Sequence, residues 1–196
     1  MSLLYTVELF WLRCVNLNLR LPAANQLSPK KTTVPQVVQP EWKVFTRPDK
    51  GFQILMPGRP KTKTQVQETY MGEIKLQIFV AQPPEQEAAY LVTYNEFSYS
   101  YAQMTKPQTI LSQARSNTLK ATQSNLISER NIHSYNGHPG KEIQYKDSPG
   151  KVTTNRIFVA EGCLYQVMAI VSKKQRSTLS KTITGYLNSF QLVVRR

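Results

Sequence analysis

The sequence predicts a single α+β domain, built as a mostly antiparallel β-sheet flanked by helices in an α/β/α sandwich. Three observations carry this expectation. Short segments of alternating or apolar residues recur between tight-turn compositions from Trp42 to Val171. The turns between them are too short for crossover connections, so neighbouring strands run antiparallel. Near the C-terminus, Leu179, Ile183, Tyr186, Leu187 and Phe190 stand at i, i+4, i+7, i+8 and i+11, which is one apolar face of a helix.

The elements follow in order. Trp42 to Thr46 alternates large and polar residues and reads as a strand. Pro48-Asp49-Lys50-Gly51 is a turn, because proline presets one turn dihedral and glycine accepts a positive one. Phe52, Ile54 and Met56 mark a second short strand, stopped by Pro57-Gly58. Val66–Tyr70 and Ile74–Val80 flank Met71-Gly72-Glu73 as a hairpin, with Ile74, Leu76, Ile78 and Val80 on one face and Lys75 and Gln77 on the other. Tyr90 to Phe97 is a further strand.

Pro107 suits the first turn of a helix, and Ile110, Leu111, Ala114, Thr118 and Ala121 keep a helical period after it. Four strands are predicted next, at Leu126–Tyr135, Lys141–Lys146, Val152–Ala160 and Leu164–Val171. Asn136-Gly137-His138-Pro139-Gly140, Ser148-Pro149-Gly150 and Glu161-Gly162 join them as a meander. Leu192 and Val193 close the chain as a short edge strand.

The boundary of the domain is placed near Glu41, giving a folded unit over residues 41–194 after an N-terminal segment of 1–40. Residues 1–21 are apolar-rich but interrupted by Glu8, Arg13 and Arg20, so they read as a degenerate export signal or a tail. Gln26 to Pro40 is polar and carries Pro29, Pro35 and Pro40, the composition of an extended linker. At 196 residues, 40% hydrophobic and 10% aromatic, the chain has material for a core, which excludes wholesale disorder. No run approaches the roughly 18 apolar residues that span a bilayer. Two cysteines, Cys14 and Cys163, cannot make a disulfide framework or a four-thiolate zinc site.

Charge is unevenly spread. The formal net charge is +13, and residues 151–196 hold eight basic residues against one acid. Lys173, Lys174, Arg176, Lys181, Arg195 and Arg196 form the clearest cluster. Such asymmetry points to an anionic partner: an acidic protein, a membrane-bound complex or nucleic acid. A solvated basic face that keeps the protein soluble is the plainer reading of the same residues.

Catalytic groups are scarce. The two aspartates, Asp49 and Asp147, stand in turn contexts, where the side chain bonds nearby backbone amides. His133 and His138 flank one turn, with Glu129 and Glu142 near in sequence; a two-histidine, one-carboxylate metal site is the sharper reading, and surface histidines around a turn the favoured one. Cys163 opens a strand and reads as a small buried hydrophobe. No nucleophile elbow, dinucleotide fingerprint, phosphate loop or paired-cysteine motif is present. Phe97, Tyr99 and Tyr101, with Tyr94 nearby, alternate as an aromatic stripe: a core face, a stacking platform for bases, or a peptide-binding groove. Glu96 and Ser98, where a nucleic-acid binder would place Arg or Lys, favour the core.

Four motifs together carry a family resemblance. They are Trp42…Phe45…Pro48-Asp49-Lys50-Gly51-Phe52…Met56-Pro57-Gly58-Arg59-Pro60, then His138-Pro139-Gly140-Lys141-Glu142, then Arg156-Ile157-Phe158-Val159…Gly162-Cys163-Leu164-Tyr165-Gln166-Val167, and Tyr186-Leu187-Asn188-Ser189-Phe190-Gln191-Leu192. They resemble the PsbP-like proteins, bacterial and cyanobacterial relatives of the extrinsic photosystem II subunit PsbP, whose fold is shared with a nuclear-import factor that binds Ran. The resemblance covers roughly residues 42–193. It implies an antiparallel sheet between helices, no enzyme activity, docking onto larger assemblies, and a periplasmic or thylakoid-lumen location; a cytoplasmic one follows if the N-terminus is no export signal.

These readings converge on a non-catalytic, monomeric binding or assembly protein without cofactor or transmembrane span. It docks through its basic cluster onto an acidic protein or membrane-bound complex. Nucleic-acid binding, or carriage of a small ligand or metal by the sheet face or the histidines, are the alternatives.

Overall fold

Tight turns set the topology. The computed structural model describes residues 40–47, 49, 51–69, 72–97 and 104–193, and the structural statements that follow concern these. They form β1 (Trp42–Thr46), β2 (Phe52–Pro57), β3 (Lys61–Thr69), β4 (Gly72–Ala81), β5 (Ala88–Glu96), α1 (Pro107–Ala121), β6 (Asn125–His133), β7 (Pro139–Lys146), β8 (Val152–Ala160), β9 (Cys163–Val171), α2 (Ser180–Asn188) and β10 (Gln191–Leu192). A large seven-stranded sheet has the order β3-β4-β5-β9-β8-β7-β6, and a small three-stranded one the order β1-β2-β10. All pairs are antiparallel.

The chain lays down β3, β4 and β5 as consecutive neighbours. It then crosses through α1 to the far edge and meanders back through β6, β7, β8 and β9. There β9 zips onto β5 from Ala88 opposite Val171 to Glu96 opposite Cys163. The β8–β9 turn is Glu161-Gly162, at φ 49 and 75, the doubly positive geometry that matches strand twist in a two-residue hairpin.

One face of the large sheet carries the main core. Phe79, Tyr90, Val92, Tyr94, Phe158, Tyr165 and Val167 pack there against Phe52, Ile54 and Met56 of β2 and Ile183, Tyr186 and Leu187 of α2. The rings interlock: Phe52 lies 5.6 Å from Phe79 and 5.7 Å from Phe190, and Trp42 meets the Tyr90 edge at 5.1 Å. On the opposite face, Ile110 and Leu111 of α1 pack on Ile143, Tyr145, Ile157 and Val159. Helices therefore lie on both faces, as the sequence predicts, but the small sheet shares one face with α2.

That sharing explains a choice in β4. Its alternation offers Ile74, Leu76, Ile78 and Val80 as the apolar face, yet the main core takes Phe79 and Ala81 from the other side. Ile78 is buried on the second face. The short final strand also has a defined partner: Gln191 and Leu192 pair with Gln53 and Phe52 of β2.

Close approach fixes one glycine. A Cβ on Gly140 of β7 would lie 2.6 Å from Cδ1 of Phe158 and 2.8 Å from the Ile157 carbonyl oxygen. Phe158 in turn stacks on Phe190, with centroids 5.6 Å apart and 15° between the planes. A side chain at 140 would push this stack out of the core.

Candidate functional site

The two aspartates and Cys163 are committed to structure. The Asp147 carboxylate accepts from the Lys151 backbone N–H at 2.7 Å and holds the β7–β8 turn. Asp49 accepts from Gly51 N–H at 3.3 Å and ion-pairs with Arg47. Cys163 is buried, and burial pushes its thiol above the usual range, away from a reactive thiolate. His133 stands on the exposed β6 edge and His138 in the turn after it. Among the described residues no group of three or more His, Cys, Asp or Glu could hold a metal ion. Of the aromatic stripe, Phe97 packs against the α1 core, Tyr94 stacks on Tyr165 at 5.8 Å, and Tyr99 and Tyr101 lie outside the described residues.

What the fold does assemble is a basic surface. Lys173 and Lys174 lie exposed in the segment between β9 and α2. Arg176 in the same segment donates from Nη2 to Gln144 Oε1 of β7 at 3.1 Å, tying this segment to the strand beside it. Lys181, Thr184 and Asn188 share one stripe of α2 at i, i+3 and i+7. Asn188 accepts from Arg156 Nη1 of β8 at 2.8 Å, so this stripe faces β8 and the strands beyond it. Arg195 and Arg196 lie outside the described residues.

Further basic residues join from the meander. Register places Arg130 of β6 opposite Glu142 of β7, and Glu142 opposite Arg156 of β8, so the three form one row across the sheet. Glu142 gives Oε1 to Arg130 at 2.7 Å and Oε2 to Arg156 at 2.6 Å. The Glu142 and Arg156 side chains are only 12% and 16% exposed, whereas Arg130 stands 65% exposed. Lys146 and Lys151 sit at the end of the sheet where β9 delivers Lys173 and Lys174, since Lys146, Val152 and Val171 align across the strands. The result is a charged shelf on the sheet face between α2 and the β6 edge. Its floor is the Arg130–Glu142–Arg156 row and its rim is lysine and arginine. Asp147, bound into its turn, and Glu87 are the other nearby acids in sequence and register.

The opposite side of the β6–β7 ribbon repeats the arrangement. Glu129 of β6 accepts from Arg115 Nε of α1 at 2.8 Å and from Lys141 Nζ of β7 at 3.4 Å. Burial alone would raise the Glu129 carboxyl, but the Arg115 hydrogen bond and the Lys141 charge outweigh it and hold it below the usual range. In each triad a single carboxylate answers two cations, leaving one excess positive charge. The carboxylates of Glu129 and Glu142 thus face opposite sides of the ribbon, each engaged by two cations.

Of the predicted site residues, the fold brings Lys173, Lys174, Arg176 and Lys181 to one side. Arg130, Lys146, Lys151 and Arg156 were missed by sequence reasoning. The signal was present: Arg130 and Glu142 are equidistant from Asn136, as Glu142 and Arg156 are from Pro149, so the two turn centres predict the row.

No family model matches the chain, and no curated protein sequence matches it. Solved structures do. The solution structure of cyanobacterial PsbP (CyanoP) from Synechocystis sp. PCC 6803 superposes over 82% of this chain and 98% of that one, at 11% identity and a TM-score of 0.53. The fold is PsbP-like. A crystal structure of PA94 from Pseudomonas aeruginosa, a protein of unknown function described as a putative regulator, covers 79% of this chain and 98% of its own, at 13% identity and a TM-score of 0.46. At these identities the PsbP-like likeness speaks to fold, and fold alone does not assign function. No helix among the described residues is long and apolar enough to cross a membrane.

Proposed function

We propose that this chain is a non-catalytic assembly protein that docks through its basic side onto an acidic protein, either free or within a membrane-bound complex such as a photosystem. The observation that carries the reading is the gathering of Lys146, Lys151, Lys173, Lys174, Arg176 and Lys181 around the Arg130–Glu142–Arg156 row, from four separate elements and the segment before α2. The aspartates bound into turns and the buried thiol support a non-enzymatic role. The resemblance to PsbP-like proteins supports assembly.

Opposite charge steers encounter and is screened by salt, so association is fast and salt-sensitive. Co-purification from the native source at low salt should return a larger assembly that moderate salt releases. Reversal of Lys173, Lys174 and Arg176 to glutamate should release it at low salt. Unchanged association of that variant removes the reading. Retention on double-stranded DNA at low salt, without any protein partner, would replace it with nucleic-acid binding.

A further inference from the structure

Two mirrored charge triads flank the β6–β7 ribbon, and only one lies on the face that Arg176 and α2 border. We propose that the shelf between α2 and β6 is the docking groove itself, that an acidic extended segment of a partner protein lies along it, and that Glu142 is the built-in competitor for the partner's carboxylates. This deepens, and rests on, the docking function proposed above.

The chemistry favours a carboxylate-bearing chain. Arg130 and Arg156 present planar forks that each hold one oxygen of Glu142. Arg156 is fixed further by Asn188, and Arg176 by Gln144. Arginines fixed this way are preorganised for bidentate carboxylate recognition, which mobile lysines on a convex surface are not. Arg130 is more than half exposed while paired, so an incoming carboxylate can reach it without unfolding anything. Coverage argues against a membrane as the occupant. The Glu142 and Arg156 side chains are only 12% and 16% exposed, and Arg156 is tied to Asn188 of α2. A membrane surface holds by inserted apolar side chains, whereas the floor of the shelf is charged. A narrow peptide fits where a flat bilayer does not.

The second triad supplies the control. Glu142→Gln and Glu129→Gln remove the same charge from the same motif on opposite faces of the ribbon. Arg130→Gln and Arg115→Gln do so for the arginines. The probe is a fluorescein-labelled octa-glutamate peptide, followed by anisotropy at two salt concentrations. Phosphatidylglycerol vesicles serve as the comparison, and thermal melts establish that each variant is folded. The shelf predicts that Glu142→Gln tightens peptide binding severalfold while Glu129→Gln leaves it near wild type. It also predicts that Arg130→Gln weakens binding severalfold and Arg115→Gln does not.

Equal shifts for the two members of each pair mean that net charge alone attracts the peptide, which overturns the shelf and leaves charge-driven docking standing. Absence of peptide binding by the wild type at low salt overturns the docking function and this inference together. Vesicle binding without peptide binding assigns the surface to lipid and overturns the acidic segment. Should Glu142→Gln fail to fold, the arginine pair decides alone, since Arg130 is largely in solvent.

Discussion

Arg47 lays its guanidinium carbon 3.6 Å from the centre of the Tyr94 ring. The residue is 8% exposed, and its charge is answered by Asp49 in the adjoining turn. Tyr94 stacks on Tyr165, so cation and rings form a layered stack at one end of the main core. Asp49→Asn keeps an oxygen for the Gly51 N–H but leaves Arg47 without its carboxylate. It should cost about 2 kcal/mol in denaturant unfolding, below the full figure for a deeply buried pair because Asp49 is partly in solvent. Arg47→Met, which removes the charge and keeps the packing over Tyr94, should cost less than Asp49→Asn. The reverse ranking would show that the ring contact, not the ion pair, is the main term.

Two glycines give opposite expectations for the same substitution. Gly140→Ala drives a methyl group into Phe158 and the Ile157 carbonyl and should destabilise by roughly 1–3 kcal/mol. Gly185 lies within α2, and a methyl group there would meet nothing within 4 Å, so Gly185→Ala should stabilise by about 0.5–1 kcal/mol through helix propensity. Thermal melts of the two variants should move to either side of the wild type.

Alkaline pH should unfold the protein by ionising its core tyrosines. Burial pushes the Tyr90 phenol up to about 12 and raises Tyr145, Tyr165 and Tyr186 as well. In the unfolded chain these groups ionise near pH 10. Folding therefore favours their neutral forms. That contribution is complete below about pH 10 and is lost as pH rises through the folded values. Phenolate absorbance should show a slow component that appears only as near-ultraviolet dichroism collapses above about pH 10. Full ionisation with the dichroism intact would contradict this burial.

Tyr186 tests the junction between α2 and the large sheet. Its hydroxyl donates to the Leu91 carbonyl of β5 at 2.7 Å, and its ring meets Tyr90 edge-on at 5.0 Å. Tyr186→Phe keeps the ring and removes the donor, leaving the half-buried Leu91 carbonyl without this bond. A loss of about 1–2 kcal/mol is expected from equilibrium unfolding. An unchanged midpoint would mean that the carbonyl is satisfied elsewhere.

Local chemistry made much of the fold readable. The strand at Val152–Ala160 falls where alternation and its flanking turns place it, and the helix beginning at Pro107 starts where proline predicts. These features depend on neighbours in sequence. The small sheet does not. Its third strand pairs Gln191 with Gln53, a contact that no local period encodes. The shelf was half readable for the same reason. Lys173, Lys174 and Arg176 fall within four consecutive residues, whereas Arg130 and Arg156 become neighbours of Glu142 only through hairpin register. Side-chain parity on β6, β7 and β8 then decides which carboxylate faces the shelf and which faces α1.

The strand order has a consequence for how the polypeptide acquires its shape. β5 must remain without β9 while α1 and three further strands are synthesised, and the β1–β2 hairpin lacks its third strand for longer still. Contacts of such long sequence separation slow folding, because the entropy of loop closure is lost before any burial offsets it. Phe52 and Tyr90 thus emerge from the ribosome with few of their final neighbours. During that interval the nascent chain carries an unfinished aromatic interior, and chaperones have a reason to attend to it until Gln191 and Leu192 have been made.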